Sequence, residues 1–149
     1  MNMHHQFQGY EISSIDLDLD AQLATKGPLQ IHLIARAPDC PLARPALDRI
    51  EEVRASGGRL EILFTRTPNG RPGWRAGADN CVDARFADFR SADQLVGQLI
   101  AGDSVWTLAQ DGALVGHLSC SPAAIALAKQ SFRFVFALAR PMVAHRIAA

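Results

Sequence analysis

Residues 29–65 read LQIHLIARAPDCPLARPALDRIEEVRASGGRLEILFT, and the way this stretch divides decides the fold. Gln30 to Ala35 form a short apolar run rich in branched residues, which predicts a largely buried strand. A helix is expected next, with Asp39 as its cap and Pro41 and Pro45 in its first turn. Leu47, Ile50 and Val53 recur every third residue, and Gly57-Gly58 supply the stop. Leu60 to Thr65 is then a second strand. Two strands joined by a crossover helix are expected to lie parallel and adjacent with a right-handed connection, so the stretch predicts one α/β layer pair.

The flanking segments read as additions to that sheet. Residues 1–9 are expected to be disordered, and Ile12, Ile15, Leu17 and Leu19 alternate with polar residues between Tyr10 and Leu19 as in a short strand or extended arm. Ala21 to Thr25 suggests a helical turn before Lys26-Gly27-Pro28. Cys81 to Phe86 reads as a third short strand. Ser91 and Gln94 form a capping box for a helix over 91–101 that presents Leu95, Val96, Leu99 and Ile100 and stops at Gly102. Ser104 to Ala109 and Ala113 to Leu118 flank Gln110-Asp111-Gly112, a hairpin signal. Ser121 and Pro122 open a last helix along Ile125, Ala128, Phe132, Val135 and Ala139, although Phe132, Phe134, Phe136 and Leu138 also alternate as a strand does. The whole, 1–149, reads as a single mixed α/β domain: a central β-α-β unit, a β-hairpin and a C-terminal helix.

At 149 residues the chain buries about two thirds of the surface its unfolded form exposes, so no metal or disulfide is required to hold it. Fifteen Lys and Arg balance fifteen Asp and Glu, an even field from which direct nucleic-acid binding is not expected. The three cysteines, at 40, 81 and 120, show no C-x-x-C spacing, which fits a reducing cytoplasm. The N-terminus lacks the basic-then-apolar pattern of a secretory signal, and the apolar stretch from Phe132 to Ala144 is too short and too charged for a membrane span.

Chemistry enters at three places. Residues 66–80, TRTPNGRPGWRAGADN with the preceding threonine, are dense in Pro, Gly and Arg and leave the carboxyl end of a parallel strand, where open α/β sheets bind ligands. Arg66, Arg71, Trp74 and Arg75 are the candidates there for a small anionic ligand; a solvated turn-rich connection is the competing reading. Cys40 sits between the first strand and its helix, where a helix dipole stabilises a thiolate. The arrangement resembles thioredoxins and glutaredoxins, but Ala43 stands at the resolving position, so only monothiol chemistry is left to it. Isolated histidines at 32 and 117 read as hydrogen-bonded sheet residues. No G-x-G-x-x-G, P-loop, G-x-S-x-G or H-E-x-x-H pattern is present, and no cofactor or metal is expected.

The hairpin carries a second resemblance. The central unit, the strand at 81–86, the Asp-Gly hairpin, GHLSCSP and the last helix together look like one half of the phospholipase D-like fold. That family's H-x-K-x-x-x-x-D motif, aligned on Asp111, falls on Ser104 and Trp106, so nucleophilic His and phosphate-binding Lys are both missing. The G-S-x-N segment would fall on Gly116 to Ser119, where only the glycine agrees. Such erosion resembles the non-catalytic sensor domains of bacterial and archaeal transcription regulators. The resemblance implies a regulatory ligand-sensing or interaction module that forms a homodimer through the last helix. The alternatives are a small thiol-dependent enzyme using Cys40 and a subunit whose site a partner completes.

Overall fold

The computed structural model describes residues 8–11, 13–25, 27–37, 39–65, 81–87, 95, 97–108, 115–119 and 121–141. The 29–65 stretch folds as its pattern predicts. Strand β2 (Gln30–Ala35) lies parallel to β3 (Arg59–Phe64), with all six residues of each in register from Gln30 opposite Arg59 to Ala35 opposite Phe64. Strand β4 (Val82–Phe86) adds in parallel beyond β3. Both faces of these strands are covered, which is why β2 reads as an unbroken apolar run.

Around the parallel centre the sheet grows by antiparallel strands. Strands β5 (Gln98–Ala101), β6 (Ser104–Leu108) and β7 (Val115–Ser119) follow in order on the far side of β2, and β1 (Gln8–Glu11) closes that edge against β7. A two-residue strand, β8 (Arg140–Pro141), pairs with β4 at the other edge. The eight-stranded order is β1-β7-β6-β5-β2-β3-β4-β8.

Alternation along the strands sorts the core into two layers. Ile31, Leu33, Leu60, Ile62, Phe64, Ala84, Leu99 and Trp106 face one side. There they meet Ile15 and Leu19 of α1 (Ser13–Leu23), Leu42 and Ala46 in and beside α2 (Ala43–Leu47), and Val53 of α3 (Ile50–Ala55). Ile34, Leu63, Ile100 and Val105 face the other side, under Ile125, Ala128, Phe132 and Phe136 of α4 (Pro122–Leu138). Ser121 caps α4, its hydroxyl accepting from the Ala124 amide, and the strand-like alternation at 132–138 resolves as helix because only one stripe of those residues reaches the sheet.

Several expectations are corrected. Tyr10 to Leu19 is not one extended arm: β1 ends at Glu11 and α1 runs from Ser13, because Ile15 and Leu19 at a four-residue spacing bury together while Leu17 points to solvent. Gln8 and Gly9, expected loose, already belong to β1. The crossover helix is two short helices rather than one, broken at Arg49 (φ −116°, ψ 21°), and Leu42 rather than Asp39 stands at its start without a side-chain cap. Finally, the end of the helix expected over 91–101 is strand β5. Leu99 buries against the first layer and Ile100 against the second, and a short apolar run between two neighbours has no periodicity by which to tell strand from helix. Gly102, read as a helix stop, instead turns a two-residue hairpin at φ +52°.

The aromatic centre of the second layer is Phe132, whose ring stands 5.0 Å from those of both His32 and Phe136. Truncation by Phe132→Ala is expected to cost about 3–5 kcal/mol through the cavity it leaves, read as a fall in urea midpoint at unchanged slope.

Candidate functional site

The hairpin positions singled out by the family motif fall on β6 and face α1. Ser104 and Trp106 are 4 % and 2 % exposed, and both are tied to one carboxylate: Trp106 Nε1 donates to Asp18 Oδ2 at 2.9 Å and Ser104 Oγ donates to Asp18 Oδ1 at 3.2 Å. One turn along α1, Gln22 completes the set. Its Nε2 donates to the Ala101 carbonyl at 2.8 Å and to Ser104 Oγ at 3.1 Å, while its Oε1 accepts the Asp103 amide at 3.2 Å. A Cβ at Gly102 would stand 1.9 Å from that same Oε1 and displace the Gln22 amide, so the glycine serves this contact as well as its positive φ. Two polar helix residues four apart thus reach the sheet through an otherwise apolar face. A half-buried carboxylate with hydrogen-bond donors on it is a stable arrangement. Asp111 lies outside the described residues.

Arg49 fastens the outer side of α1. Its guanidinium donates to Asp16 Oδ1 at 2.7 Å and to Asp20 Oδ1 at 2.8 Å. The hydrogen bond from Arg49 holds the Asp20 carboxyl below its ordinary value, and Asp20 in turn raises Arg49. The break between α2 and α3 is what turns Arg49 toward α1. Beside it, Asp16, Asp39, Pro41, Arg44, Pro45 and Asp48 line an open groove of about 230 Å³. Among the described residues no three His, Cys, Asp or Glu side chains are grouped to hold a metal.

Beneath α4, the β2–β3 register sets His32 opposite Glu61. Nδ1 of His32 lies 2.9 Å from Glu61 Oε1, a hydrogen-bonding distance at which the ring N–H is nonetheless poorly aligned. The short separation is the firmer observation, because attraction between the groups tolerates an angular error that a hydrogen bond does not. The His32 contact lowers the Glu61 carboxyl from its ordinary 4.5 against the opposing effect of burial, with Arg133 and Arg59 adding to the lowering. His32 is therefore the sheet residue its sequence position suggests. Glu61 was not singled out, though a parallel register read from Gln30 opposite Arg59 would have found it.

Cys40 is half-buried against the first core layer and lies before α2, where its carbonyl accepts from the Ala43 and Arg44 amides. The helix it was expected to begin is only five residues long, so the dipole available to a thiolate is small. Arg66, Arg71, Trp74 and Arg75 lie outside the described residues. So do the side chains of β7, although its backbone places Leu118 opposite Trp106.

No protein-family model and no curated protein matches the sequence. Solved structures do. A phospholipase D family member, Nuc from Salmonella typhimurium, matches with a TM-score of 0.51 at 10 % identity over 92 % of this chain and 97 % of its own. The fold is phospholipase D-like. TrmBL2, an archaeal chromatin protein with a novel mode of DNA binding, matches with a TM-score of 0.59 at 13 % identity over 92 % of this chain. The chain spans 54 % of that protein's length. That neighbour overturns the expectation of no direct nucleic-acid binding. The expectation rested on a formal net charge of zero, which averages over the molecule and says nothing of how charge is distributed on one face. No helix among the described residues is long and apolar enough to cross a membrane.

Two substitutions check the site. Asp18→Ala removes the acceptor shared by Trp106 and Ser104 and is expected to lower stability by about 1–3 kcal/mol and to shift the tryptophan emission. Glu61, with its folded-state value depressed, adds stability that is present above 4.5 and lost as pH falls through its lower folded-state value. In Glu61→Gln the acid limb of the stability profile below pH 4.5 is expected to flatten, measured by thermal melts across pH.

Proposed function

We propose that this chain is a non-catalytic regulatory and interaction module of phospholipase D-like fold, acting in a DNA-associated assembly. One observation carries the non-catalytic part: Ser104 and Trp106, at the motif positions for the nucleophile and the phosphate-binding cation, are buried and bonded to Asp18 of α1. Attack on phosphorus needs an accessible nucleophile and a cation for the developing charge, and this pair offers neither. The DNA association draws on the likeness to the chromatin protein. Ligand sensing belongs to the same proposal and rests on the composition of the 66–80 stretch, in which Arg66, Arg71 and Arg75 with Trp74 supply the donors for a small anion.

A thiol-dependent enzyme built on Cys40 is the weaker reading, since the short α2 gives the thiol little dipole support.

The proposal is tested by incubating highly purified protein with bis(p-nitrophenyl) phosphate and with plasmid DNA. No hydrolysis above buffer is expected, and any turnover that survives further purification would contradict the non-catalytic reading. In parallel, anisotropy of a labelled duplex should rise with protein at low ionic strength and fall steeply as salt is added. A flat titration at every salt concentration would remove direct DNA contact by this chain.

A further inference from the structure

The helix that covers the second core layer is apolar on both sides. Ile125, Ala128, Phe132 and Phe136 of α4 pack on the sheet. On its opposite side Ala123, Leu127, Gln130, Phe134 and Ala137 recur at spacings of four and three residues, and all are exposed. Leu127 is 64 % exposed, Phe134 71 %, and Leu138 beside them 58 %. One exposed leucine is ordinary, but large apolar side chains aligned over three turns mark a binding surface. Their spacing is that of a helix seam, in which each side chain enters a gap on a facing helix.

Charge decides what fits. None of the 17 residues of α4 is acidic. At 100° per residue, Lys129 and Arg133 fall on one shoulder of the seam, while Ala124, Ser131 and Val135 on the other carry no charge. Among the described residues neither cation stands within ion-pair distance of a carboxylate, although Arg133 is near enough to Glu61 to help lower it. A second copy of α4 would bring the same cations and no carboxylate in either orientation, and like charges beside a helix seam oppose pairing. Within this chain α1 is acidic, but its Ile15 and Leu19 are committed to the core. We propose that the outer face of α4 docks an acidic amphipathic helix of another protein. Leu127, Phe134 and Leu138 take its apolar stripe, and carboxylates along one edge meet Lys129 and Arg133. This deepens the interaction-module reading and names its partner class.

Two synthetic helical peptides with an identical leucine seam test it, one carrying Glu and the other Lys at the flanking positions. The Glu peptide is expected to bind several-fold more tightly, since two exposed ion pairs are each worth up to about fivefold and become repulsive in the other peptide. Leu127→Ser with Phe134→Ser should abolish binding while leaving the melting curve cooperative, because both residues lie outside the core. Lys129→Glu with Arg133→Glu should reverse the preference. The proposal is overturned if neither peptide binds, if both bind equally, or if the serine variant binds as well as the parent. Self-association by light scattering that disappears in the serine variant would show a second copy as the occupant. Binding to phosphatidylserine vesicles with the same dependence would show a membrane. None of these results bears on the phosphodiesterase assay, so the two readings fail separately.

Discussion

The parallel pairing of β2 with β3 is the constraint on which the rest depends. Six registered positions hold two strands whose side chains enter both core layers, so no slip of one residue is tolerable: it would exchange Ile31, Leu33, Leu60 and Ile62 with His32, Ile34, Glu61 and Leu63 across the sheet. The connection between the strands must then cross one face, and Gly58 shows how closely it does so. A Cβ there would come within 1.9 Å of the Leu29 carbonyl oxygen, which fixes the approach of β3 to the start of β2.

The two faces solve the burial of polar groups differently. On the α1 side, Asp18 and Gln22 enter a hydrophobic layer as a connected set with Ser104, Trp106 and the β5–β6 turn, each hydrogen bond supporting its neighbours. On the α4 side the polar groups make separate local contacts: the buried His32 against Glu61, and Arg85 over the Phe136 ring with its Nη1 donating to the Phe136 carbonyl at 2.9 Å. That last contact satisfies a carbonyl in the final turn of α4, where a cation also complements the helix dipole. Thus the polar groups on both faces serve the cohesion of a phospholipase D-like fold.

Legibility from the sequence followed the strength of periodicity. Residues 30–35, 59–64 and 122–138 have either dense branched apolar character or repeated three- and four-residue spacing, and their elements fall where the pattern places them. Residues 10–23 and 98–101 do not. In the first, Ile15, Leu17 and Leu19 satisfy alternation as well as a four-residue repeat, and only packing chooses. In the second, tertiary neighbours on both sides of β5 decide for strand. Ser104 and Trp106 stand out in the sequence through the motif alignment, but their partner Asp18, more than eighty residues earlier, carries no local mark of its role. A long-range polar partner becomes visible only once the chain is folded.

That separation has a kinetic side. The β2-α-β3 unit closes within one short stretch of chain, whereas Asp18 meets Trp106 across 88 residues and Gln22 meets Asp103 across 81. Loop-closure entropy makes such distant contacts slower to form than the local unit. The pairing of β2 with β5, from Ile31 opposite Ala101 to Ile34 opposite Gln98, spans nearly as much chain, so the surface that receives α1 exists only once the C-terminal half has closed on the central unit.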